Sequence, residues 1–446
     1  VISGNARNGV SIVGGPSGGT GNKILGNHIG TDITGNVKLA NQGHGVNLTT
    51  NVNNGSITNT RIGGASSDSG NVIAGNSQSG VALDGQGVTK TAVLGNRIGL
   101  KASVADTLGN KGSGVRVSGA PNNKIGSPAS GAANMNGGNW SNGIDIIGSA
   151  ATGNLVEQNY IGTDASETNK LGNKGHGIWM KASRDTIGGF SLTRRNVIAF
   201  NDSVGVRVDS GNGNLIRYNS IVGNRQMGID LGVVGVTPND SLDGDTGAND
   251  RQNFPILDSA VVVGLTTKIY GRIESKPNQR YTLDFFSNDS ADASHFGEGK
   301  TFLRDTLDVR CDATGRAQFM VTVPVPLDTS RRLTATATDS LGNTSEFSRA
   351  LCFADADSDG IFDDWEASGN GIDVNCDGII DLDLNTLGAK PDHKDIFVEV
   401  DAMTGYGPLP GVLDSVIAAF GRVPDGLLHN PDGQGGIKLH IDPLQD

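Results

Sequence analysis

The residues with the most specific chemistry form an acidic loop at positions 355–366. Asp355, Asp357 and Asp359 alternate with small residues, Gly360 follows them, and Glu366 ends a stretch of twelve residues. This spacing is typical of a calcium-binding loop, in which carboxylates and one backbone carbonyl surround the ion. We therefore predict a Ca²⁺ site whose ligands are Asp355, Asp357, Asp359, the carbonyl of Ile361, Asp363 and Glu366.

A weaker copy of this loop begins at Asp373. Its predicted ligands are Asp373, Asn375, Asp377, the carbonyl of Ile379, and Asp381. The twelfth position is Leu384, which has no side-chain oxygen, so this second site is incomplete or shared with a neighbour. Together the two loops resemble dockerin and thrombospondin type 3 calcium repeats. The resemblance implies Ca²⁺ as the cofactor, and the crowded carboxylates imply that folding requires it. The alternative is a disordered acidic linker. Glycines at matching positions of the two loops argue against this alternative.

The charge of the chain is concentrated in this segment. Residues 355–401 contain 14 of the 47 acidic residues but 2 of the 35 basic residues, so the rest of the chain is close to neutral. Such a focus favours bound cations, and the absence of a basic patch argues against a nucleic-acid partner. No apolar run is long enough to predict a membrane span. Three cysteines are too few for a disulfide scaffold, and whether Cys311 and Cys352 pair, leaving Cys376 over, stays open.

A four-residue phrase recurs eight times before residue 232. It consists of Gly, an aliphatic residue, a variable residue and an aliphatic residue, and the copies start 23 to 36 residues apart, at Gly9, Gly45, Gly80, Gly114, Gly143, Gly177, Gly205 and Gly228. A period of this size indicates a solenoid, and apolar alternation indicates short strands. Gly-Asn pairs between the phrases predict turns. We expect stacked asparagines in those turns, at Asn22, Asn27, Asn71, Asn76, Asn154, Asn159, Asn196, Asn201, Asn214 and Asn219.

This pattern resembles the right-handed parallel β-helix proteins of bacterial surfaces and secretions. The resemblance implies a mainly β fold and an extracellular or cell-surface location. The leading interpretation is a calcium-binding structural or adhesive protein, with a polysaccharide or cell-surface glycan as the candidate partner. An uncovered end of the rod would also permit self-association through its unpaired strand edges.

The variable position of the phrase provides the candidate ligand-binding residues. Alternate strand residues face outwards, so stacking predicts one exposed column of Ser11, Asn47, Ala82, Arg116, Asp145, Trp179, Arg207 and Asp230. The candidate carbohydrate site on it consists of Trp179, Arg207, Asp209, Asp230, Asp145 and Lys181. The alternatives are a ladder of salt bridges and a polysaccharide lyase or glycoside hydrolase with paired carboxylates. No catalytic residue is assigned. His44 and His176 occupy the same place in the repeat, which favours a turn or packing role.

Changes of pattern along the chain divide it into five predicted regions. These are a parallel β-helix (1–232), a capping loop or linker (233–252) whose aspartates match no known ligand loop, an Ig-like β-sandwich (253–353), the calcium loops (354–386), and the start of an α/β domain (387–446). The last region resembles the entry to bacterial secreted metallopeptidase-like domains. No His-Glu-x-x-His motif occurs, so a further alternative is a non-catalytic arm of a larger metallopeptidase.

Overall fold

The chain folds mainly into β-strands, which form two compact units. The structure is a computed structural model that describes residues 1–50, 55–66, 68–104, 106–372, 380–400, 406–409 and 411–443. The first unit comprises Val1–Asp258, Ile269–Val323 and Leu333–Ala350, and the second comprises Ser259–Lys268, Pro324–Arg332 and Leu351–Asp446. No helix in the described ranges is long and apolar enough to cross a membrane.

The predicted parallel β-helix is confirmed, because strands from successive coils pair in parallel and form stacked sheets. Sheet one contains the eight strands Val10–Val13, Val46–Thr49, Val81–Asp84, Val115–Ser118, Ile144–Ile147, Ile178–Lys181, Val206–Ser210 and Ile229–Leu231. Sheet two contains Lys23–Ile24, Arg61–Gly63, Ala92–Leu94, Lys124–Ile125, Leu155–Val156, Thr186–Gly188 and Leu215–Arg217. Sheet three contains His28–Ile29, Val72–Ile73, Arg97–Ile98, Met135–Asn136, Tyr160–Ile161, Val197–Ala199 and Ser220–Val222. A smaller sheet contains Gly19–Thr20, Ile57–Thr58 and Val88–Thr89.

The aliphatic residues of the repeated phrase form the core of the rod. In the second coil Val46 and Leu48 are completely buried, whereas Asn47 between them is not. The same alternation recurs in Val115–Ser118 and Ile178–Lys181, because strand side chains point to opposite faces in turn. Stacked Val, Ile and Leu side chains therefore fill the interior.

Asparagine ladders hold the corners of the coils together. At one corner the side-chain amide N–H of each Asn donates to the side-chain carbonyl of the Asn in the next coil, at 2.8–2.9 Å. The order is Asn41, Asn76, Asn110, Asn139, Asn173, Asn201 and Asn224. Asn139 makes one additional bond, to Asn136. A second corner repeats the scheme from Asn27 to Asn219. The predicted ladder role is thus confirmed for Asn27, Asn71, Asn76, Asn159, Asn196, Asn201 and Asn219, and it extends to further asparagines, whereas Asn22 donates to Thr60. Satisfied buried amides of this kind fix the register between coils.

A third corner has a carboxylate where its neighbours have an amide. Asp185 Oδ1 accepts hydrogen bonds from the backbone and side chain of Asn154, at 2.7 and 3.1 Å. The buried Oδ2 receives none from the described residues. Burial raises the pKa of Asp185 from 3.8 to about 7. The ionised form therefore costs free energy at neutral pH.

Replacing this carboxylate by an amide should stabilise the rod. We expect Asp185→Asn to increase the free energy of unfolding by about 1–2 kcal/mol more at pH 8 than at pH 5, because a desolvated charge is removed. The folded-state pKa lies above the unfolded value, so the native protein loses stability as the pH rises from about 4 to about 7, whereas the amide of the variant does not titrate. Urea unfolding at both pH values measures the difference, and a gain equal at the two values would contradict it.

The end of the rod after Leu231 is covered by chain from the same unit. Asn249, in the short 3₁₀ helix Ala248–Arg251, extends one ladder by accepting from the N–H of Asn214 at 3.0 Å. Glu346 accepts the N–H of Leu231, and Glu298 accepts the N–H of Gly223. These contacts satisfy backbone groups that would otherwise form an open edge.

The strands that directly follow the rod form two sheets. Thr301–Arg310, Arg280–Asn288 and Arg332–Asp339 lie side by side in one, and Ile256–Val263, Thr266–Glu274 and Arg316–Val323 form the other. The rings of Phe285 and Phe319, one from each sheet, meet edge to face at 5.6 Å. Two further 3₁₀ helices of the first unit are Leu192–Arg194 and Ser241–Asp243. Cys311 and Cys352 are both buried and free.

The second unit contains a strand–helix–strand motif. Strands Asp395–Val400 and Lys438–Pro443 pair in parallel, and helices Val412–Phe420 and Asp425–Leu428 lie between them in sequence. Before them come a two-residue strand, Leu351–Cys352, and a single helical turn, Asp363–Glu366. That turn contains the last residues of the predicted calcium loop.

Candidate metal centre

The first three aspartates of the acidic loop converge on one point. Asp355, Asp357 and Asp359 each offer a carboxylate oxygen, and these oxygens lie within 4.8 Å of one another. The turn that brings them together requires positive φ at Gly360, which has φ of +98°. Backbone N–H groups of the loop donate to the carboxylates, as from Asp359 to Asp357 Oδ1 at 3.1 Å. The loop is therefore folded back on its own acidic side chains.

A second group of carboxylates shares Asp359 with the first. Asp359, Glu366 and Asp395 also offer oxygens within 4.8 Å of one another. Asp395 begins a strand, is 1% exposed, and donates its backbone N–H to Asp359 Oδ2 at 2.6 Å. Sequence analysis missed Asp395 because it lies 29 positions after Glu366, outside the loop pattern. The sequence pattern of its strand gave no indication that Asp395 lies close to the acidic loop.

Two acidic side chains of this centre have oxygens with no hydrogen-bond partner. Glu366 is 0% exposed, and neither of its carboxylate oxygens accepts a hydrogen bond from the residues that the structure describes. Asp357 is 3% exposed, and its Oδ2 likewise accepts no hydrogen bond from those residues. Buried carboxylates normally have donors or bound cations around them. All the groups are hard oxygens, which suits Ca²⁺ better than a softer transition metal.

Burial and neighbouring negative charges raise the pKa values of two carboxylates in this centre. Burial, and after it the charges of Asp359, Asp357 and Asp395, raises the pKa of Glu366 to about 8. Burial and the charge of Asp359 raise the pKa of Asp357 to about 7. A cation would reverse both effects, because it favours the ionised forms.

The remaining predicted ligands lie around this centre or outside the described residues. Ile361 donates its N–H to Asp359 Oδ1 at 2.7 Å, and Asp363 Oδ1 accepts the N–H of Ala356 at 2.8 Å. Asp363 belongs to neither carboxylate group. Of the second predicted loop, Asp373, Asn375, Asp377 and Ile379 lie outside the described residues. Asp381 is exposed and hydrogen-bonds through its N–H to Ile372.

A third acidic group, in the loop that follows the rod, accepts most of its hydrogen bonds from protein donors, although Asp245 Oδ1 has none among the described residues. Asp240, Asp243 and Asp245 lie together. The buried Asp243 accepts from Ser275 at 2.7 Å and from the N–H of Asn253 at 3.2 Å. Asp240 accepts from the N–H of Gly244. These bonds fix the loop, and we assign no cation to it.

The column on sheet one has the predicted register. Pairing places Asp145 beside Trp179, Trp179 beside Arg207, and Arg207 beside Asp230. The prediction that the column is exposed is wrong for Ala82, Asp145, Arg207 and Asp230, which are buried. Local partners cover them: Asp145 accepts from Ser113 at 2.6 Å and from Asn142 at 2.8 Å, and Arg207 donates to backbone carbonyls after the last coil.

The polar residues of this column are paired with one another. Asp209 accepts from Trp179 Nε1 at 2.9 Å and from Arg207 Nε at 2.6 Å, and Lys181 Nζ lies 3.3 Å from it. Lys181 also lies over the Trp179 ring, 4.8 Å from its centre. Arg207 forms a further ion pair with Asp230 at 2.6 Å. Burial acts to raise the pKa of Asp209, but hydrogen bonds from Arg207 and Trp179 outweigh it and lower that pKa. This arrangement is that of a salt-bridge ladder, and the carbohydrate site stays a hypothesis.

The two histidines of the repeat have matching backbone contacts. His44 Nδ1 accepts the N–H of Ser79 at 3.1 Å, and His176 Nδ1 accepts the N–H of Val204 at 3.3 Å. Burial lowers the pKa of both. Both therefore join successive coils as neutral rings, as a packing role predicts.

Comparisons with known proteins add little to these observations. No family model and no curated protein matches the chain. Among solved structures it is similar to the enzymatically active domain of tailspike protein 4 of bacteriophage CBA120, with 10% sequence identity and a TM-score of 0.18. The match covers 70% of this chain and 55% of the tailspike chain, little more than half of its length. At this TM-score the similarity supports no argument about function.

Proposed function

We propose that this chain is a calcium-binding structural protein, in which Asp355, Asp357, Asp359 and Glu366 hold Ca²⁺ and the β-helix serves as a rigid rod. The observation that carries the proposal is the Glu366 carboxylate, which is wholly buried with two unpartnered oxygens. A buried carboxylate without donors is costly, and a divalent cation is the partner that these two overlapping groups of carboxylates would accept.

The rod supports a structural rather than an enzymatic role. Its coils are joined by continuous asparagine ladders, and Asp84, Asp209 and Asp230 of sheet one are paired with Arg or Lys side chains. We further propose that the protein acts outside the cell or at its surface, where free Ca²⁺ is abundant enough to fill the loop. An adhesive role would then depend on which ligand the rod binds.

Calcium should stabilise the second unit. We expect the free energy of unfolding to rise by about 2.7 kcal/mol when free Ca²⁺ is 100 times the dissociation constant, because only the folded loop brings the ligands together. Thermal unfolding in calcium and in chelator measures this change. Terbium, excited through Trp365 beside Glu366, reports binding directly.

Magnesium is the matched control for this experiment. It demands a smaller octahedral shell and retains its water, so it should stabilise the unit much less than Ca²⁺ does at equal concentration. Identical unfolding curves in calcium, magnesium and chelator, with no terbium emission, would refute the proposed site.

A further inference from the structure

Two buried glutamates hold the end of the rod, but they differ in how their carboxylate oxygens are occupied. Glu346 is 1% exposed, and its two oxygens accept the N–H groups of Leu231 and Thr237, each at 2.9 Å. Glu298 is 7% exposed, and its Oε2 accepts the N–H of Gly223 at 2.8 Å. The buried Oε1 of Glu298 accepts no hydrogen bond from the described residues. Because such an oxygen is costly to bury, the difference indicates that Glu298 has a partner other than a protein donor.

A second carboxylate oxygen in the same loop also lacks a donor. Asp292 Oδ1 accepts the N–H and the hydroxyl of Ser294, at 2.6 and 2.5 Å, whereas its buried Oδ2 accepts nothing from the described part of the chain. A Cβ atom at Gly297, the residue before Glu298, would lie 3.8 Å from this Oδ2. Burial, assisted by the charge of Asp292, raises the pKa of Glu298 to about 7. The two carboxylates are therefore neighbours, and each has one oxygen to offer.

The basic side chains near this pair do not neutralise it. Lys300 pairs with Asp289, and its charge does not offset the effect of burial on Glu298. Arg225 is exposed and lines a pocket of about 340 Å³ together with Asp292, but the two form no ion pair. Anionic oxygens of this kind are the ligands that hard cations prefer. The pocket beside Asp292 leaves room for the water that such cations retain.

The loop that contains both carboxylates joins the rod to the sheet that follows it. Gly299 and Ile221 exchange two backbone hydrogen bonds of 2.9 Å, and Ile221 belongs to the last strand of sheet three, Ser220–Val222. The hydroxyl of Ser220 donates to the carbonyl of Lys300 at 2.7 Å. A cation held at Glu298 would therefore fix this loop against the last coil, within the first unit.

We propose that Glu298 Oε1 and Asp292 Oδ2 hold a hard divalent cation, whose shell is completed by water and which fastens loop 289–300 to the last coil of the rod. Ca²⁺ suits the site because it accepts irregular shells of oxygen ligands. Two carboxylates bind it more weakly than the acidic loop of the second unit, with a dissociation constant on the order of 1 mM. The site shares no residue with that loop and does not depend on it.

Hydrogen exchange at the amides of Gly223 and Gly299, measured by mass spectrometry on the full chain, tests the proposal. Exchange should be about tenfold slower in 10 mM calcium than in chelator with sodium chloride at equal ionic strength, because calcium binds only while the loop is closed. The amide of Gly223 reports the site directly, since it donates to the other oxygen of Glu298.

Glu298→Gln and Asp292→Asn should each abolish this slowing. Both variants should fold, because the amide oxygen that replaces the bonded carboxylate oxygen can still accept from Gly223 or from Ser294. Glu346→Gln is the matched control: it changes a buried glutamate at the same end of the rod whose oxygens already have donors. This variant should retain the effect of calcium on Gly223.

Glu366→Gln separates this site from the acidic loop. It should leave the tenfold slowing at Gly223 intact, even where it removes the response to calcium in the second unit. The proposal is overturned if calcium does not slow exchange at Gly223 in the wild type, if Glu298→Gln keeps the slowing, or if Glu366→Gln abolishes it. Exchange that slows between pH 8 and pH 6, after correction for its intrinsic rate, but does not respond to calcium would assign a shared proton to the pair in place of a metal.

Discussion

Replacing Arg217 with alanine is expected to lower the free energy of unfolding of the first unit by about 3–5 kcal/mol. Arg217 ends the last strand of sheet two, is 5% exposed, and donates to both oxygens of Asp284, at 2.5 and 3.0 Å. It also donates to Asp305 at 3.1 Å. Asp284 is 1% exposed, and its burial raises its pKa even beside the guanidinium. Removal of Arg217 would leave a buried, uncompensated charge between the rod and the following sheets.

Urea unfolding followed by circular dichroism measures this effect, and Arg116→Ala provides the matched control. Arg116 pairs with Asp84 at 2.9 Å, but the Arg116 side chain is 34% exposed and the Asp84 side chain is 26% exposed. Its loss should therefore cost only about 0–1 kcal/mol. Replacing Arg217 and Asp284 together with apolar residues of similar size should restore much of the stability. Equal losses in the two single variants would contradict the assigned role of Arg217.

The architecture of the rod could be predicted because its determinants are local and repeated. Each phrase contains both the turn residues and the inward-facing aliphatic residues of its own coil, so copies such as Val46 and Val81 align by repetition alone. The asparagines were predictable for the same reason. No contact between distant parts of the chain was needed to infer them.

The environment of individual side chains could not be predicted in this way. Arg207 was expected on an exposed face, but carbonyls of Gly232 and Val233 accept from it. These residues lie in the segment after the repeats, where no period indicates the path of the chain. The same limit applies to Arg217 and Asp284, which are 67 positions apart. Alternation predicts which way a side chain points, but only tertiary packing determines what covers it.

The metal centre combines both kinds of information. The loop from Asp355 to Glu366 was evident from its spacing, whereas Asp395 comes from the strand Asp395–Val400, outside the loop. Its carboxylate hydrogen-bonds with His440, and its Oδ2 accepts the N–H of Lys390 at 3.1 Å. Such outer partners commonly orient a ligating carboxylate, and each carboxylate oxygen has lone pairs for both a hydrogen bond and a cation.

We therefore expect Glu366→Gln and Asp395→Asn each to weaken calcium binding at least tenfold, about 1.4 kcal/mol or more. Glu366 would lose the charge of its two unpartnered oxygens, and Asp395 would lose an anionic oxygen within 4.8 Å of those of Asp359 and Glu366. Calorimetric titration of each variant with calcium measures the affinity. Asp364→Asn removes the same charge beside the site, but Asp364 accepts from Asn370 at 3.0 Å and belongs to neither carboxylate group. It should bind calcium nearly as the wild type does.

The two variants separate the role of the loop from that of the strand. If Asp395 is a ligand, calcium joins the loop to the parallel pair Asp395–Val400 and Lys438–Pro443. Amide hydrogen exchange in residues 396–400 should then slow when calcium is added to the wild type, and Asp395→Asn should lose this protection. Weakened binding in Glu366→Gln with wild-type affinity in Asp395→Asn would restrict the site to the loop. In that case the carboxylate of Asp395 would serve only its hydrogen bonds with His440 and Lys390.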